Sequence, residues 1–93
     1  MATFFMFGNY TAKSINDMSI DRTQRVVEEI QKLGGQVQAM HAMLGAHDLI
    51  FCVHLPDVES ALKASVKLTQ LTDITFTTAP AVSVEHFDNM MNA

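Results

Sequence analysis

His41, His47, Asp48 and Tyr10 are the residues of this 93-residue chain whose types could do chemistry together. A partly desolvated carboxylate close to an imidazole is the raw material of general acid–base catalysis, so Asp48 and His41 are the candidate catalytic groups. Asn9, Thr75 and Thr77 would add amide and hydroxyl groups able to donate and accept hydrogen bonds, and Met43 would add an adaptable apolar wall. Asn9, Tyr10, His41, Met43, His47, Asp48, Thr75 and Thr77 therefore form the expected ligand-binding set. Each also has a plain structural reading. Asp48 follows a tight turn, where it can accept hydrogen bonds from the turn backbone or from the residues after Tyr10. His41 can be a satisfied interface histidine, and Tyr10 an amphipathic lid with its hydroxyl at the rim. Cys52, between apolar neighbours, reads as a small buried hydrophobe.

Metal chemistry finds no pattern. His41, Asp48 and His54 share one strand face, but His54 falls at the opposite end, and neither H-x3-H nor E-x-x-H occurs. Phosphate-loop, dinucleotide-binding and G-x-S-x-G patterns are absent too. Gly34-Gly35 closes a helix, whereas a dinucleotide fingerprint would open one. No metal or cofactor is expected.

These residues need elements to hold them. Thr3 to Tyr10 is aromatic and uncharged, which predicts a buried strand. Ile20, Thr23, Val27, Ile30 and Gly34, widened by Val26 and Leu33, recur at helical spacing behind the candidate N-cap Ser19, and Gly34-Gly35 ends that helix. Gln36–Leu44 and His47–Leu55 are strand-length runs flanking Gly45-Ala46, which predicts a hairpin with a two-residue turn. Asp57 caps a second helix whose inward face would be Val58, Ala61, Leu62, Ser65, Leu68 and Thr69. Ile74–Val82 is the last strand, and Glu85–Met91, capped by Ser83, a short terminal helix. The order βαββαβ with right-handed crossovers predicts an α+β, ferredoxin-like fold in a single domain, residues 1–93, with strand order 4-1-3-2 and both main helices on one face.

The hairpin assigns the faces. Leu44 pairs with His47, Met43 with Asp48, His41 with Ile50, Ala39 with Cys52 and Val37 with His54, and opposed residues share a face. Met40, Ala42, Leu44, Leu49, Phe51, Val53 and Leu55 would lie under the helices, with His47 at that face's rim. The other face collects Val37, Ala39, His41, Met43, Asp48, Ile50, Cys52 and His54. Across all four strands the only Asp, Glu, Lys or Arg is Asp48. A sheet open to water on one side normally alternates apolar with polar or charged residues, so the second face must also be covered. A chain of this length has no further layer to supply. The expected cover is a second copy, a homodimer through Val37, Ala39, His41, Met43, Ile50, Cys52 and His54, with higher assembly open.

Composition agrees and excludes other classes. Hydrophobic residues make up 48% of the chain and charged ones 17%, against about 25% charged in an average domain. That excludes disorder, and a net charge of −4 argues against electrostatic nucleic-acid binding. The apolar start has no Lys or Arg before it, no run approaches the length of a membrane span, and Cys52 is the lone cysteine. A cytoplasmic protein is expected.

The opening Met1-Ala2-Thr3-Phe4-Phe5-Met6-Phe7-Gly8-Asn9-Tyr10-Thr11, the helix end Leu33-Gly34-Gly35, the segment Leu44-Gly45-Ala46-His47-Asp48-Leu49-Ile50 and the close Phe76-Thr77-Thr78-Ala79-Pro80-Ala81-Val82 together resemble the GYD-domain family over essentially the whole chain. The resemblance implies a ferredoxin-like subunit, similar to the dimeric α+β barrel superfamily, that pairs through its sheet. It implies no particular activity. The naming motif is Gly-x-Tyr-Asp; Gly45 and Asp48 match it, and His47 stands where tyrosine is usual.

Three functions fit. The first is a dimeric small-molecule binding or sensing module with its pocket at the Tyr10/Asp48 end of the sheet, between the sheet and the first helix. The second is an enzyme acting on a small apolar metabolite by monooxygenase- or isomerase-like acid–base chemistry, an analogy of fold. The third is a structural assembly subunit.

Overall fold

Alternation along the first strand sets the layers. In β1 (Ala2–Asn9) the side of Phe4, Met6 and Gly8 is buried, while Thr3, Phe5, Phe7 and Asn9 lie on the opposite face and are only partly covered. The computed structural model describes residues 1–92, and continues through α1 (Ile20–Lys32), β2 (Gln36–Ala42), β3 (Leu49–Leu55), α2 (Val58–Thr72), β4 (Thr75–Ala81) and α3 (Val84–Met91). The four strands form one antiparallel sheet in the order β2-β3-β1-β4. This is the ferredoxin-like α+β arrangement that the element order predicts.

The core lies between the helices and one face of the sheet. Phe4 and Met6 from β1, Phe51, Val53 and Leu55 from β3, Val26 and Ile30 from α1, and Ala61, Ala64 and Leu68 from α2 make one buried cluster. Gly8 belongs to that face for a steric reason. A Cβ on it would sit 3.0 Å from the Phe76 ring and 3.3 Å from Leu49, so its bare Cα lets Phe76 cross the sheet and meet Phe51, ring centroids 5.5 Å apart.

The helix boundaries follow the capping chemistry. The Ser19 side chain accepts from the Arg22 N–H, Asp57 from the Ser60 N–H at 2.7 Å, and Ser83 from the His86 N–H. At the end of α1, Gly34 takes φ +82, its N–H donates to the Gln31 carbonyl and that of Gly35 to the Ile30 carbonyl, the paired bonds of a Schellman stop. Asp73 closes α2 in the left-handed region at φ 59.

Four details depart from the expectations. The connection between β2 and β3 is wider than a two-residue turn: the ladder ends with the Met43 N–H donating to the Asp48 carbonyl, and Leu44 swings into solvent, 100% exposed, rather than under the helices. The Val37–His54 pairing is also replaced. A bulge between Val37 and Ala39 sets Gln36 opposite His54 and Val37 opposite Val53, so Val37 packs against the helix-side core instead of lying on the open face. In α2 the inward residues are Ala61, Ala64, Leu68 and Thr72, while Val58 and Leu62 are 61% and 64% exposed. Small alanines let the helix lie close to the sheet, and that choice turns the larger side chains outward. Ile20 likewise faces solvent at the first turn of α1.

α3 buries none of its residues. Val84, Phe87, Met90 and Met91 remain exposed, and the molecule measures 49 × 30 × 18 Å.

Candidate functional site

The segment leaving β1 is held by a small knot of hydroxyl groups. The Thr11 N–H donates to Ser14 Oγ at 2.7 Å, the Ser14 N–H returns to Thr11 Oγ1 at 3.1 Å, and Thr11 Oγ1 donates to the Asp73 carbonyl at 2.9 Å. Ser14 is fully buried, and every bonding group in the knot has a partner. This polar stretch is thereby fixed between the end of β1, the end of α2 and the start of α1. Tyr10 begins it, so its ring inherits a fixed place.

Asp48 fastens the same point from the other side. Its Oδ2 accepts from the Tyr10 N–H at 2.9 Å, and its own N–H donates to the Gly8 carbonyl at 2.9 Å. The one carboxylate of the expected strands thus clasps the exit of β1 to the start of β3. The donor is the N–H of Tyr10 itself, 38 positions away along the chain, rather than the turn backbone or a residue after Tyr10.

His47 does not lie at the helix-side rim. Because the β2–β3 connection is a wide loop, His47 is outside the strand and free of its alternation, and its imidazole lies over the Phe7 ring on the open face, centroids 4.8 Å apart. Its Nδ1 is 3.2 Å from Asn9 Oδ1. Thr75 Oγ1 donates to the Asn9 carbonyl at 3.2 Å, and Thr77 stands opposite Phe7 in the ladder. Asn9, His47, Thr75 and Thr77 are therefore brought together on the open face. His41, opposite Ile50, is exposed, and Met43 sits at the last rung of the ladder. His54 is at the far end, with Nδ1 3.1 Å from Thr3 Oγ1. Among the described residues no three His, Cys, Asp or Glu side chains gather as a metal site would require, and no helix is long and apolar enough to cross a membrane.

Tyr10 goes the other way. It lines a cavity of about 130 Å³ on the helix side, between the first turns of α1, the end of β2 and the start of β3. Val26, Met40, Leu49, Phe51 and Ile74 supply apolar surface, Thr23 a hydroxyl, and His41 and Ala42 part of the wall. Arg22 borders it: its guanidinium carbon lies 5.7 Å from the centre of the Tyr10 ring, and Nη1 donates to the Ser14 carbonyl at 2.6 Å. The expected set is thus divided, with Tyr10 and His41 lining the cavity, Asn9, His47, Thr75 and Thr77 on the open face, Asp48 tying the two sides at the edge and Met43 left at the last rung of the ladder.

Sequence reasoning passed over Arg22, Thr23, Met40 and Ile74 as site residues. A signal for Arg22 was present. It stands in the first turn of the helix that follows β1, and in this fold that turn returns to the end of the strand where Tyr10 lies.

A family model described as "GYD domain" matches residues 4–91. No curated protein matches the chain. Among solved structures it is similar in fold to "Crystal structure of Mycobacterium tuberculosis Leucine response regulatory protein (LrpA)", with TM-score 0.64 at 8% identity over 88% of this chain and 51% of that one. The chain spans about half the length of that protein.

Proposed function

We propose that this chain, which belongs to the GYD domain family, is a homodimeric small-molecule binding module: a second copy covers the open face of the sheet, and the ligand site is the cavity beside Tyr10. The observation that carries the binding reading is that cavity. It has an apolar floor, two hydroxyl-bearing residues and one cation, the composition of a small-ligand pocket. Acid–base catalysis has less support, since Asp48 commits an oxygen to the Tyr10 N–H and His41 is exposed.

The dimer rests on what the open face lacks. Phe5, Phe7, Ile50 and Cys52 lie side by side there, and among the described residues the four strands themselves carry no Asp, Glu, Lys or Arg, Asp48 standing just before β3. The accessible surface of the single chain is 6059 Å², against about 5,400 Å² for a folded monomer of its mass. Its radius of gyration is 14.0 Å, where about 12 Å is usual for this length. A standard interface removes about 800 Å² per partner, which more than absorbs the excess area. Light scattering should give twice the 10.3 kDa of one chain. A mass of one chain at micromolar concentration rejects the dimer, and a small-molecule screen by thermal shift with no hit that maps to the Tyr10 cavity rejects the binding role.

A further inference from the structure

We infer that the ligand of the Tyr10–Arg22 cavity is a small carboxylate with an apolar body of about benzene size, its carboxylate held by the Arg22 guanidinium. The inference deepens the proposed binding role and rests on it.

Charge pairing leads to Arg22. Of the six cations, Lys13 is paired with Asp73 at 3.2 Å, Arg25 with Asp21 at 3.0 Å and Lys67 with Glu29 at 3.9 Å. Lys32 and Lys63 are exposed, where water suffices. Arg22 is the part-buried one, and among the described residues no carboxylate lies within 4.0 Å of it. Three aspartates line the groove on its other side, Asp17, Asp21 and Asp73, and two of them already hold a different cation. A partly desolvated guanidinium without an anion is a recognition element waiting for one.

Its surroundings hold it ready. The Tyr10 ring supports one face of the guanidinium and the Ser14 carbonyl takes one N–H of Nη1, while Ser14 itself is fixed in the Thr11 knot. Nε and Nη2 have no partner among the described residues, so a carboxylate can still be met by the fork. Below lie Val26, Leu49, Phe51 and Ile74, which offer nothing to a polar body. A volume of about 130 Å³ matches the scale of a dry protein cavity, about 150 Å³, that accepts benzene. A phosphate or a sugar would waste that floor, and an amine would meet the wrong charge.

The test titrates the full chain with benzoate and butanoate and with their neutral amides, benzamide and butanamide, following backbone and arginine Nε–H signals by NMR. The acids should bind saturably, shifting Thr23, Leu49 and the Arg22 side chain, and should bind at least about tenfold tighter than the amides. Arg22→Gln should abolish the preference of the cavity for each acid over its amide. Arg22→Lys, which keeps the charge, should retain part of the preference, and the amide spectra confirm that both variants remain folded. Equal binding of acid and amide, or an Arg22→Gln variant that still prefers the acid, overturns the carboxylate inference while leaving the cavity as a binding site. Absence of saturable shifts at the cavity with all four probes overturns both.

Discussion

The two faces of this sheet are built from the same four strands, one residue to each side in turn, and they differ in what closes them. On one side Phe4, Met6, Phe51, Val53 and Leu55 meet α1 and α2 and are buried. On the other, Phe5, Phe7, Ile50 and Cys52 are just as apolar and only partly covered. Hydrophobicity therefore does not distinguish the folding face from the proposed assembly face. Their neighbours do. The helix side is a sealed core that fixes stability within one chain, whereas in the proposed dimer the open side would place part of the stability in the concentration of a partner.

Adjacent residues of β3 give the sharpest break. Val53→Asp places a carboxylate at a fully buried core position, and a loss on the order of 4–5 kcal/mol, enough to unfold the chain, is expected from urea denaturation. Cys52→Asp, one residue away on the open face, should leave the circular dichroism of a folded domain, halve the light-scattering mass and make the melting temperature independent of protein concentration. If Cys52→Asp unfolds the chain as Val53→Asp does, the two faces are not separable in this way. Val37→Ala asks which face the bulge gives to its residue. With Val37 against the core it should cost about 1 kcal/mol without changing the mass; a changed mass with unchanged monomer stability would return it to the open face.

The smallest effect lies outside both faces. The Ser60 N–H bond to Asp57 holds its carboxyl below the ordinary aspartate value, with the Ser60 hydroxyl and Lys63 adding to the same direction. A folded-state pKa below the unfolded one adds stability that is present above the unfolded value and is lost as pH falls through the folded one. Asp57→Asn, which keeps a cap, should flatten a small part of the acid limb of a melting-temperature profile below the ordinary value of 3.8 and leave the neutral melting behaviour of both faces alone.

What the sequence made legible follows from periodicity and punctuation. Ser19, Gly34-Gly35, Asp57 and Ser83 mark helix ends because each supplies a specific bond or backbone angle, and those positions carry directly into the structure. The strand order follows from the element order. The misses share a cause. Alternation says nothing about a bulge, so Gln36-Val37-Gln38-Ala39 read as an even strand although one residue is extra. It also fails where pairing ends, which is why Leu44 and His47 were placed by a pleat they have left. In α2 the inward places of Ala61 and Leu68 were legible, and a reading that favours larger apolar residues set Val58 and Leu62 beside them in place of Ala64. The candidate site was legible as an end of the sheet, through Tyr10 and Asp48. Its division by the sheet, and the part of Arg22, depend on where α1 returns in space, which no local pattern states.

The two outer strands, β2 and β4, bear on how such a molecule stays in solution. Each has a free margin of backbone donors and acceptors, the template on which other chains could add strand by strand into a fibre. β2 is kinked by the bulge between Val37 and Ala39, and β4 carries Pro80, which has no N–H to offer a ladder. Extension is thus interrupted along both margins. In the proposed dimer, association would be turned from the open-ended lateral kind to a stacking that ends with two copies, so that an oily face could coexist with a finite particle.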